Sequence, residues 1–326
     1  MTLAPEWTTW EHKHAQVSED VSLHYVDVGP RDAQPVVLVH GWPDLWFGWR
    51  HQIGPLSKKH RVIAPDLRGY GRSSAPKEIS KYGAKNITGD LARLLDILEI
   101  EKAVFIGHDW GGSIVWRMCL YHPKRVVAAC GICTPYLPPT PQLVDVDALV
   151  AMAPQFAYMK LLSEAEDTAK LLDSSPRRLF TAMFKRHYEL GGADASVVDM
   201  LKGVPQSDHP AYTVRSELLT EEELDYYVKE YTQTGFQPNL NWYATRPLDF
   251  ENERGMSVVI PHKALFIGAK NDPVLKPEMA AHMPQLMPNL EMTIIDNAGH
   301  WVLWEQHEKV TETLLTWLGT VDSIMP

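Results

Sequence analysis

The segment that most constrains this chain runs from residue 103 to residue 112, Ala-Val-Phe-Ile-Gly-His-Asp-Trp-Gly-Gly. Four apolar residues lead into a glycine, and apolar residues at helical spacing follow the last glycine, which predicts a strand, a sharp turn and a helix. The pattern Gly-x-Asp-x-Gly has the spacing of a nucleophile elbow, with Asp109 where serine usually stands. The flanking glycines avoid the clash that Cβ atoms would cause. The turn therefore presents Asp109 above the sheet, at the positive end of the following helix.

The exchange of serine for aspartate changes the chemistry that such a turn supports. A serine that attacked an sp3 carbon would form a stable ether, whereas a carboxylate forms an ester that water can cleave. Asp109 therefore favours alkyl substitution followed by ester hydrolysis. Ser113 lies four residues further on, inside the predicted helix, and cannot replace it, so the sequence disfavours a serine esterase.

Charge and cysteine content exclude several classes of protein. The net charge of −10 and the isoelectric point near 5.8 argue against nucleic acid or an anionic membrane as a partner. The first twenty residues include charges and form no apolar stretch, and no run of about 18 apolar residues occurs, so we expect a cytoplasmic protein. Three cysteines imply no disulfide framework. Cys130 and Cys133 lie in an apolar segment typical of a buried strand, and no second ligand pair for zinc is nearby.

Alternating strand and helix patterns predict the fold. Short apolar runs occur at 22–28, 36–39, 61–64, 103–106, 126–133, 263–268 and 291–295. Helical patterns separate many of them, at 46–56, at 87–98 with Asn86 as its cap, and at 310–318. This alternation predicts an α/β fold with a mostly parallel sheet and helices on both faces.

The pattern changes between residues 138 and 247. This region opens with the stiff sequence Pro-Pro-Thr-Pro and contains no convincing strand. Helical patterns occur at 151–162, 177–189 and 220–231, the last with a Thr220–Glu223 capping box and a stop at Gly235. We predict a core formed by 1–137 and 248–326, into which 138–247 is inserted as a helical cap.

Residues that could assist Asp109 follow the later strands. His300, after the last predicted strand, is the candidate base, and Asp272, after the preceding strand, is the candidate acid that orients it. Asp296 is an alternative acid that lies closer in sequence. The loop His40-Gly41-Trp42-Pro43 stands where a second oxyanion donor is expected, so the backbone N–H groups of Trp42 and Trp110 are candidates for that role. A cis Trp42–Pro43 bond is a hypothesis that would turn this loop toward Asp109.

Taken in order, four motifs carry a family resemblance. They are His40-Gly41-Trp42-Pro43, Gly107-His108-Asp109-Trp110-Gly111-Gly112, Asn271-Asp272 and Gly299-His300-Trp301. The chain resembles the α/β-hydrolase-fold epoxide hydrolases, of the soluble type without an N-terminal phosphatase domain. The segment that ends in Asn241-Trp242-Tyr243 is similar to the family segment that supplies one ring-opening tyrosine, Tyr243. The segment around Phe156 and Tyr158 resembles the one that supplies the other, although Met159-Lys160-Leu161-Leu162 departs from the family pattern.

The resemblance implies a catalytic set and a substrate class. Its members are Asp109 as nucleophile, His300 as base, Asp272 as orienting acid, Tyr158 and Tyr243 as activators of the epoxide oxygen, and Trp42 and Trp110 as the oxyanion hole. Expected substrate-binding residues are His40, Pro43, Phe156, Trp242 and Trp301. We expect a small apolar epoxide and water as substrates, no cofactor or metal, and a monomer or homodimer.

Two alternatives remain open from the sequence. A haloalkane dehalogenase would use the same aspartyl ester, and the indole of Trp110 could hold the leaving halide, but such an enzyme needs no tyrosine pair. A non-catalytic ligand receptor could share the fold, but it would have no need to keep all three triad candidates.

Overall fold

The central feature of the structure is an eight-stranded sheet. The computed structural model describes residues 5–190, 197–203, 208 and 210–323. The strands are β1 (His12–Gln16), β2 (Ser22–Val28), β3 (Pro35–Val39), β4 (Arg61–Pro65), β5 (Ala103–His108), β6 (Val126–Ile132), β7 (Lys263–Ala269) and β8 (Leu290–Ile295). Their order across the sheet is β1-β2-β4-β3-β5-β6-β7-β8. Strand β2 is antiparallel to β1 and β4, and the other neighbours are parallel. The predicted α/β fold is confirmed.

Strand β5 lies near the middle of this sheet. All six of its residues are buried, as expected for a strand covered on both faces. It pairs in parallel with β3, where Val36 lies opposite Val104, and with β6 on its other side. Because parallel strands end at the same edge, the residues after β3, β5, β7 and β8 converge there. These are the four places where the sequence predicts catalytic side chains.

Helices surround the sheet and fill the segment between β6 and β7. They are α1 (Arg50–Ser57), α2 (Ala84–Ile97), α3 (Trp110–Tyr121), α4 (Val146–Met152), α5 (Ala157–Ser163), α6 (Ala165–Asp173), α7 (Pro176–Met183), α8 (Val197–Gly203), α9 (Pro210–Thr213), α10 (Glu221–Thr234), α11 (Gln237–Leu240), α12 (Arg246–Glu253), α13 (Met283–Leu286), α14 (Val302–Glu305) and α15 (His307–Asp322). Helix α3 packs on β5, β6 and α2, whereas α1 packs on β4 and α15. Within the described ranges, every helix is too short or too polar to traverse a bilayer.

The inserted segment is helical, but its helices are shorter than the sequence predicts. In place of one helix over 151–162, α4 ends at Met152, a 3₁₀ turn spans Pro154–Phe156, and α5 begins at Ala157. Pro154 explains the break, because proline has no N–H to donate and crowds the preceding turn. The helix predicted over 177–189 likewise ends at Met183 and is followed by a 3₁₀ turn at His187–Leu190.

The ends of two helices illustrate what local sequence can show. The Thr220–Glu223 capping box is present at the start of α10, and Gly235 ends that helix with a φ of +73°. The prediction of Asn86 as the cap of α2 was wrong, because α2 begins at Ala84 and the Ala84 N–H donates to the Asp249 carboxylate at 2.7 Å. Asp249 belongs to α12, which packs on α2. The predicted boundary at 247–248 thus falls inside α12, and the division into core and cap stays a prediction.

Candidate active site

The turn between β5 and α3 has the geometry that the Gly-x-Asp-x-Gly pattern predicts. Asp109 stands between the strand and the helix with φ +54° and ψ −124°, a conformation that side-chain-bearing residues rarely adopt. A Cβ atom on Gly107 would lie 2.1 Å from the carbonyl oxygen of Gly111, and one on Gly111 would lie 2.0 Å from that of Val39. The two glycines are therefore a steric requirement of this turn.

The two oxygens of the Asp109 carboxylate have different surroundings. The backbone N–H of Trp42 donates to Oδ1 at 2.8 Å, and the backbone N–H of Trp110 also hydrogen-bonds the carboxylate. Oδ2 lies 3.6 Å from Nε2 of His300. Burial raises the pKa of Asp109, while His300 and the two N–H donors act in the opposite direction. The loop that carries Trp42 contains a cis Trp42–Pro43 bond, as hypothesised.

Asp272 holds the His300 ring in place. Nδ1–H of His300 donates to Asp272 Oδ2 at 2.8 Å, which leaves Nε2 directed toward Asp109. Asp272 Oδ1 accepts the N–H groups of Val274 and Leu275, each at 2.9 Å. Burial alone would lower the pKa of His300, but the charge and hydrogen bond of Asp272 and the charge of Asp109 outweigh it and raise the pKa to about 9.

The alternative acid, Asp296, lies outside this arrangement. It is an exposed residue that forms a surface ion pair with Lys270 at 2.8 Å. The structure therefore groups Asp109, His300 and Asp272 and leaves Asp296 at the surface.

The two candidate tyrosines lie close together, edge to face, near Asp109. Tyr158 lies on α5 and Tyr243 in the 3₁₀ turn Asn241–Ala244, and their ring centroids are 6.2 Å apart. Burial raises both pKa values well above the ordinary value, and the negative charge of Asp109 raises them further. Both phenols are thus neutral proton donors at physiological pH. The Trp110 ring meets Tyr243 edge-on at 5.2 Å, and its side chain hydrogen-bonds the Tyr243 hydroxyl.

A cavity of about 410 Å³ opens beside Asp109. Among the expected site residues, its lining includes Asp109, Trp110, Phe156, Tyr158 and Trp242. Most of the remaining lining residues are apolar, which suits an apolar ligand. The lining also includes the charged residues Arg117, Arg246, Asp249 and Glu253. The sequence alone did not single out these residues.

Three expected substrate-binding residues do not line the cavity that the described residues form. His40 is fully buried; its Nδ1–H donates to the Gly41 carbonyl at 2.8 Å and its Nε2 accepts the Leu67 N–H at 3.0 Å. His40 therefore braces the Trp42 loop from behind. Pro43 is buried in the same loop. The expectation that His40 binds substrate was wrong, because both of its ring nitrogens are used inside the core. Substrate binding by Pro43 stays a prediction.

Trp301 packs beneath the His300 turn, and its predicted contact with substrate stays a prediction. Its indole N–H donates to the Met183 carbonyl at 2.7 Å, and its ring packs between Phe184 and Trp304. The residue is 4% exposed. Trp301 thus joins the turn that carries His300 to the end of α7 in the inserted segment.

Sequence reasoning missed two residues that position the His300 turn. Nε2–H of His108, at the end of β5, donates to the His300 carbonyl at 2.8 Å. Glu305 accepts the Gly299 N–H at 2.9 Å and holds His187 of the inserted segment through its other oxygen. His108 could have been noticed, since it directly precedes Asp109, but nothing local to Glu305 indicates its role.

One group of potential metal ligands adjoins this site. Ligand atoms of His108, Cys133 and His300 lie within 4.8 Å of one another. His108 is already hydrogen-bonded to a carbonyl and His300 to Asp272. Burial raises the pKa of the Cys133 thiol well above its ordinary value. A neutral thiol is a poor metal ligand, so we assign this group no metal.

Comparison with known proteins identifies the family. The sequence model of the α/β hydrolase fold family matches residues 34–306 of this chain. Epoxide hydrolase A of Mycobacterium tuberculosis is 34% identical over 310 residues, which cover 91% of this chain and 94% of the relative. The chain belongs to the epoxide hydrolases of the α/β hydrolase fold. The family resemblance seen in its motifs is confirmed.

Further relatives support this membership. The crystal structure of epoxide hydrolase A from Mycobacterium thermoresistibile matches with a TM-score of 0.83 and 34% identity, over 95% of this chain and 98% of that one. Bifunctional epoxide hydrolase 2 of Rattus norvegicus is 34% identical over 313 residues, 95% of this chain. The chain spans about half, 55%, of the length of that mammalian relative.

Proposed function

We propose that this epoxide hydrolase family member converts an epoxide and water to a vicinal diol through a covalent ester on Asp109. The observation that carries the proposal is the pair of neutral tyrosines, Tyr158 and Tyr243, that lie close together near Asp109. Attack of a carboxylate on carbon needs only the nucleophile, but opening an epoxide also places charge on oxygen. Two phenols can hydrogen-bond that oxygen and supply its proton.

In the first step, Oδ2 of Asp109 attacks one epoxide carbon. The Trp42 N–H holds Oδ1, whereas Oδ2 faces His300 and is free to react. The carbon–oxygen bond of the ring breaks, and its electron pair and the proton of one tyrosine form the new hydroxyl group. The product is a hydroxyalkyl ester of Asp109 beside a tyrosinate, which is reprotonated through solvent by the proton that His300 releases in the next step.

In the second step, His300 activates water. The negative charge of Asp109 helps to raise the pKa of His300. Esterification removes that charge, so His300 releases its proton more readily and becomes a base. Nε2 takes a proton from water, and the hydroxide adds to Cγ of Asp109. The negative charge then forms on Oδ1, where the two N–H donors stabilise it. Collapse breaks the Cγ–Oδ2 bond, and the leaving oxygen takes the proton from His300 to give the diol. The carboxylic acid of Asp109 then passes its proton to His300, which restores the starting carboxylate and imidazolium.

The orientation of Trp110 bears on the dehalogenase alternative. The Trp110 ring packs edge-on against Tyr243 at 5.2 Å, and a dehalogenase has no need of a tyrosine at that place. This arrangement favours ring opening over halide release. The complete Asp109–His300–Asp272 set also favours an enzyme over a ligand receptor.

The test is the intact mass of His300→Gln after reaction with styrene oxide and, separately, with 1-bromobutane. We expect an adduct equal to the whole epoxide on the peptide that contains Asp109, because attack proceeds and hydrolysis stalls. Asp109→Asn, a matched control, should form none. A butyl adduct from the bromide without an epoxide adduct would contradict the proposal, as would rapid diol release by His300→Gln.

We also propose a small apolar epoxide as the substrate, which the size and mainly apolar lining of the cavity support. Cytoplasmic activity is a further proposal. All three cysteines are buried and unpaired, as is usual in a reducing compartment.

A further inference from the structure

A single carboxylate joins the turn that carries His300 to the inserted segment. Oε1 of Glu305, at the end of α14, accepts the backbone N–H of Gly299 at 2.9 Å. Its Oε2 accepts two donors from His187, Nδ1–H at 2.7 Å and the backbone N–H at 3.1 Å. His187 follows α7 in the inserted segment, 118 positions before Glu305. Glu305 thus links the backbone directly before His300 to a distant part of the chain.

The packing around this link leaves the turn little room to move. The side chain of Glu305 is 2% exposed and that of His187 is 20% exposed. A Cβ atom on Gly299 would lie 2.8 Å from Cβ of His187 and 3.1 Å from Oε1 of Glu305, so His187 packs directly against the turn. After His300, the indole of Trp301 donates to a carbonyl at the end of α7. The inserted segment therefore holds the turn on both sides of His300.

The two steps of the proposed reaction depend on His300 to different degrees. In the first step the carboxylate of Asp109 attacks carbon, and His300 takes no part in bond making. In the second step Nε2 of His300 must reach a water that is also in line with Cγ of Asp109, and a misplacement of about 1 Å can cost about 100-fold in rate. The charge of Glu305 also contributes to the raised pKa of His300. A displaced turn should therefore slow the second step and spare the first.

We propose that Glu305 and His187 are positioning residues for hydrolysis of the Asp109 ester, and that through them the inserted segment holds the base in place. This inference rests on the ester mechanism proposed above. It gives the inserted segment a part in both steps, because the same segment carries Tyr158 and Tyr243, which act in ring opening.

The test measures formation and decay of the Asp109 adduct separately, by rapid mixing with styrene oxide, acid quenching and intact mass. Glu305→Gln keeps the size of the side chain, but an amide accepts through one oxygen only and cannot serve both Gly299 and His187. His187→Leu removes the donor from the other side of the link. Each variant should slow adduct decay about 10–100-fold and leave adduct formation within about twofold of the parent rate, so that the adduct accumulates during turnover.

Two control variants separate positioning from a general loss of structure. His187→Asn places an amide N–H close to where Nδ1–H stands and should restore adduct decay to near the parent rate. Glu230→Gln removes a buried carboxylate of α10 that pairs with Arg72 of the sheet-bearing part at 2.8 Å, so it weakens a different link to the inserted segment. It should lower the melting temperature without slowing adduct decay.

The outcomes distinguish this inference from the proposed function. Adduct decay at the parent rate in Glu305→Gln and His187→Leu would refute the positioning role, and so would equal slowing in Glu230→Gln. Slowing of formation and decay to the same extent, or a failure of His187→Asn to restore decay, would also refute it. If no variant forms an adduct, His300→Gln included, the ester mechanism itself is wrong and the positioning role falls with it.

Discussion

The charge of Asp109 is predicted to control the protonation of His300, and Asp109→Asn tests this directly. The substitution keeps the shape of the side chain and removes a charge 3.6 Å from Nε2 of His300. At that separation two unit charges interact by about 4.6 kcal/mol at an effective dielectric constant of about 20, which is an upper limit equivalent to about 3.4 pH units. We expect the pKa of His300 to fall by about 1–3 pH units from its value of about 9.

The assay is a pH titration of the histidine ring signals by NMR, with the His300 signal assigned by its loss in His300→Gln. Asp296→Asn is the matched control, because it removes a carboxylate close in sequence that pairs with Lys270 at the surface. That control should leave the His300 titration unchanged. An unchanged pKa in Asp109→Asn would refute the reasoning that ester formation turns His300 into a base.

The remaining predictions concern the tyrosine pair and the elbow. Tyr158→Phe and Tyr243→Phe should each slow ester formation about 10–150-fold, since each removes a hydrogen bond to developing charge worth about 1.5–3 kcal/mol. Single-turnover mass spectrometry measures the rate of ester formation. The control Tyr188→Phe, at an exposed position of the inserted segment, should leave this rate unchanged. Equal rates in all three variants would remove the tyrosines from the mechanism. Gly107→Ala should lower the free energy of unfolding by more than about 2 kcal/mol, because its Cβ would lie 2.1 Å from the Gly111 carbonyl oxygen. Denaturant titration measures the free energy of unfolding. The control Gly89→Ala in α2, where the new Cβ meets no atom within 4 Å outside its own helix turn, should be neutral or stabilising. Equal effects of the two substitutions would contradict the steric explanation.

The parts of the site that the sequence predicts are those specified by neighbouring residues. Gly107, Asp109 and Gly111 fall within five positions, so the turn and its steric requirement can be read locally. His300 and Asp272 each follow a recognisable strand, and parallel strands bring their ends to one edge. The fold thus follows from periodicity, and the triad follows from the fold.

The errors arise where a distant residue decides the local outcome. Asn86 is a good cap in isolation, but Asp249 reaches the start of α2 from 165 positions away. His40 belongs to the same motif as Trp42, yet the Leu67 N–H and the Gly41 carbonyl hold its ring inside the core. A motif shows which residues occur together, while the direction of each side chain depends on partners that the local sequence does not contain.

The unequal oxygens of Asp109 have a consequence for the origin of the atoms in the product. Oδ1 stays with the Trp42 N–H group, while the oxygen facing His300 leaves with the diol and is replaced from water. Under the proposed mechanism, each product molecule therefore carries the solvent oxygen captured in the preceding cycle. After transfer into water labelled with a heavy oxygen isotope, the protein should release one unlabelled diol molecule per active site before labelled diol appears. The Asp109 side chain thus delivers each solvent oxygen to product one turnover after taking it up.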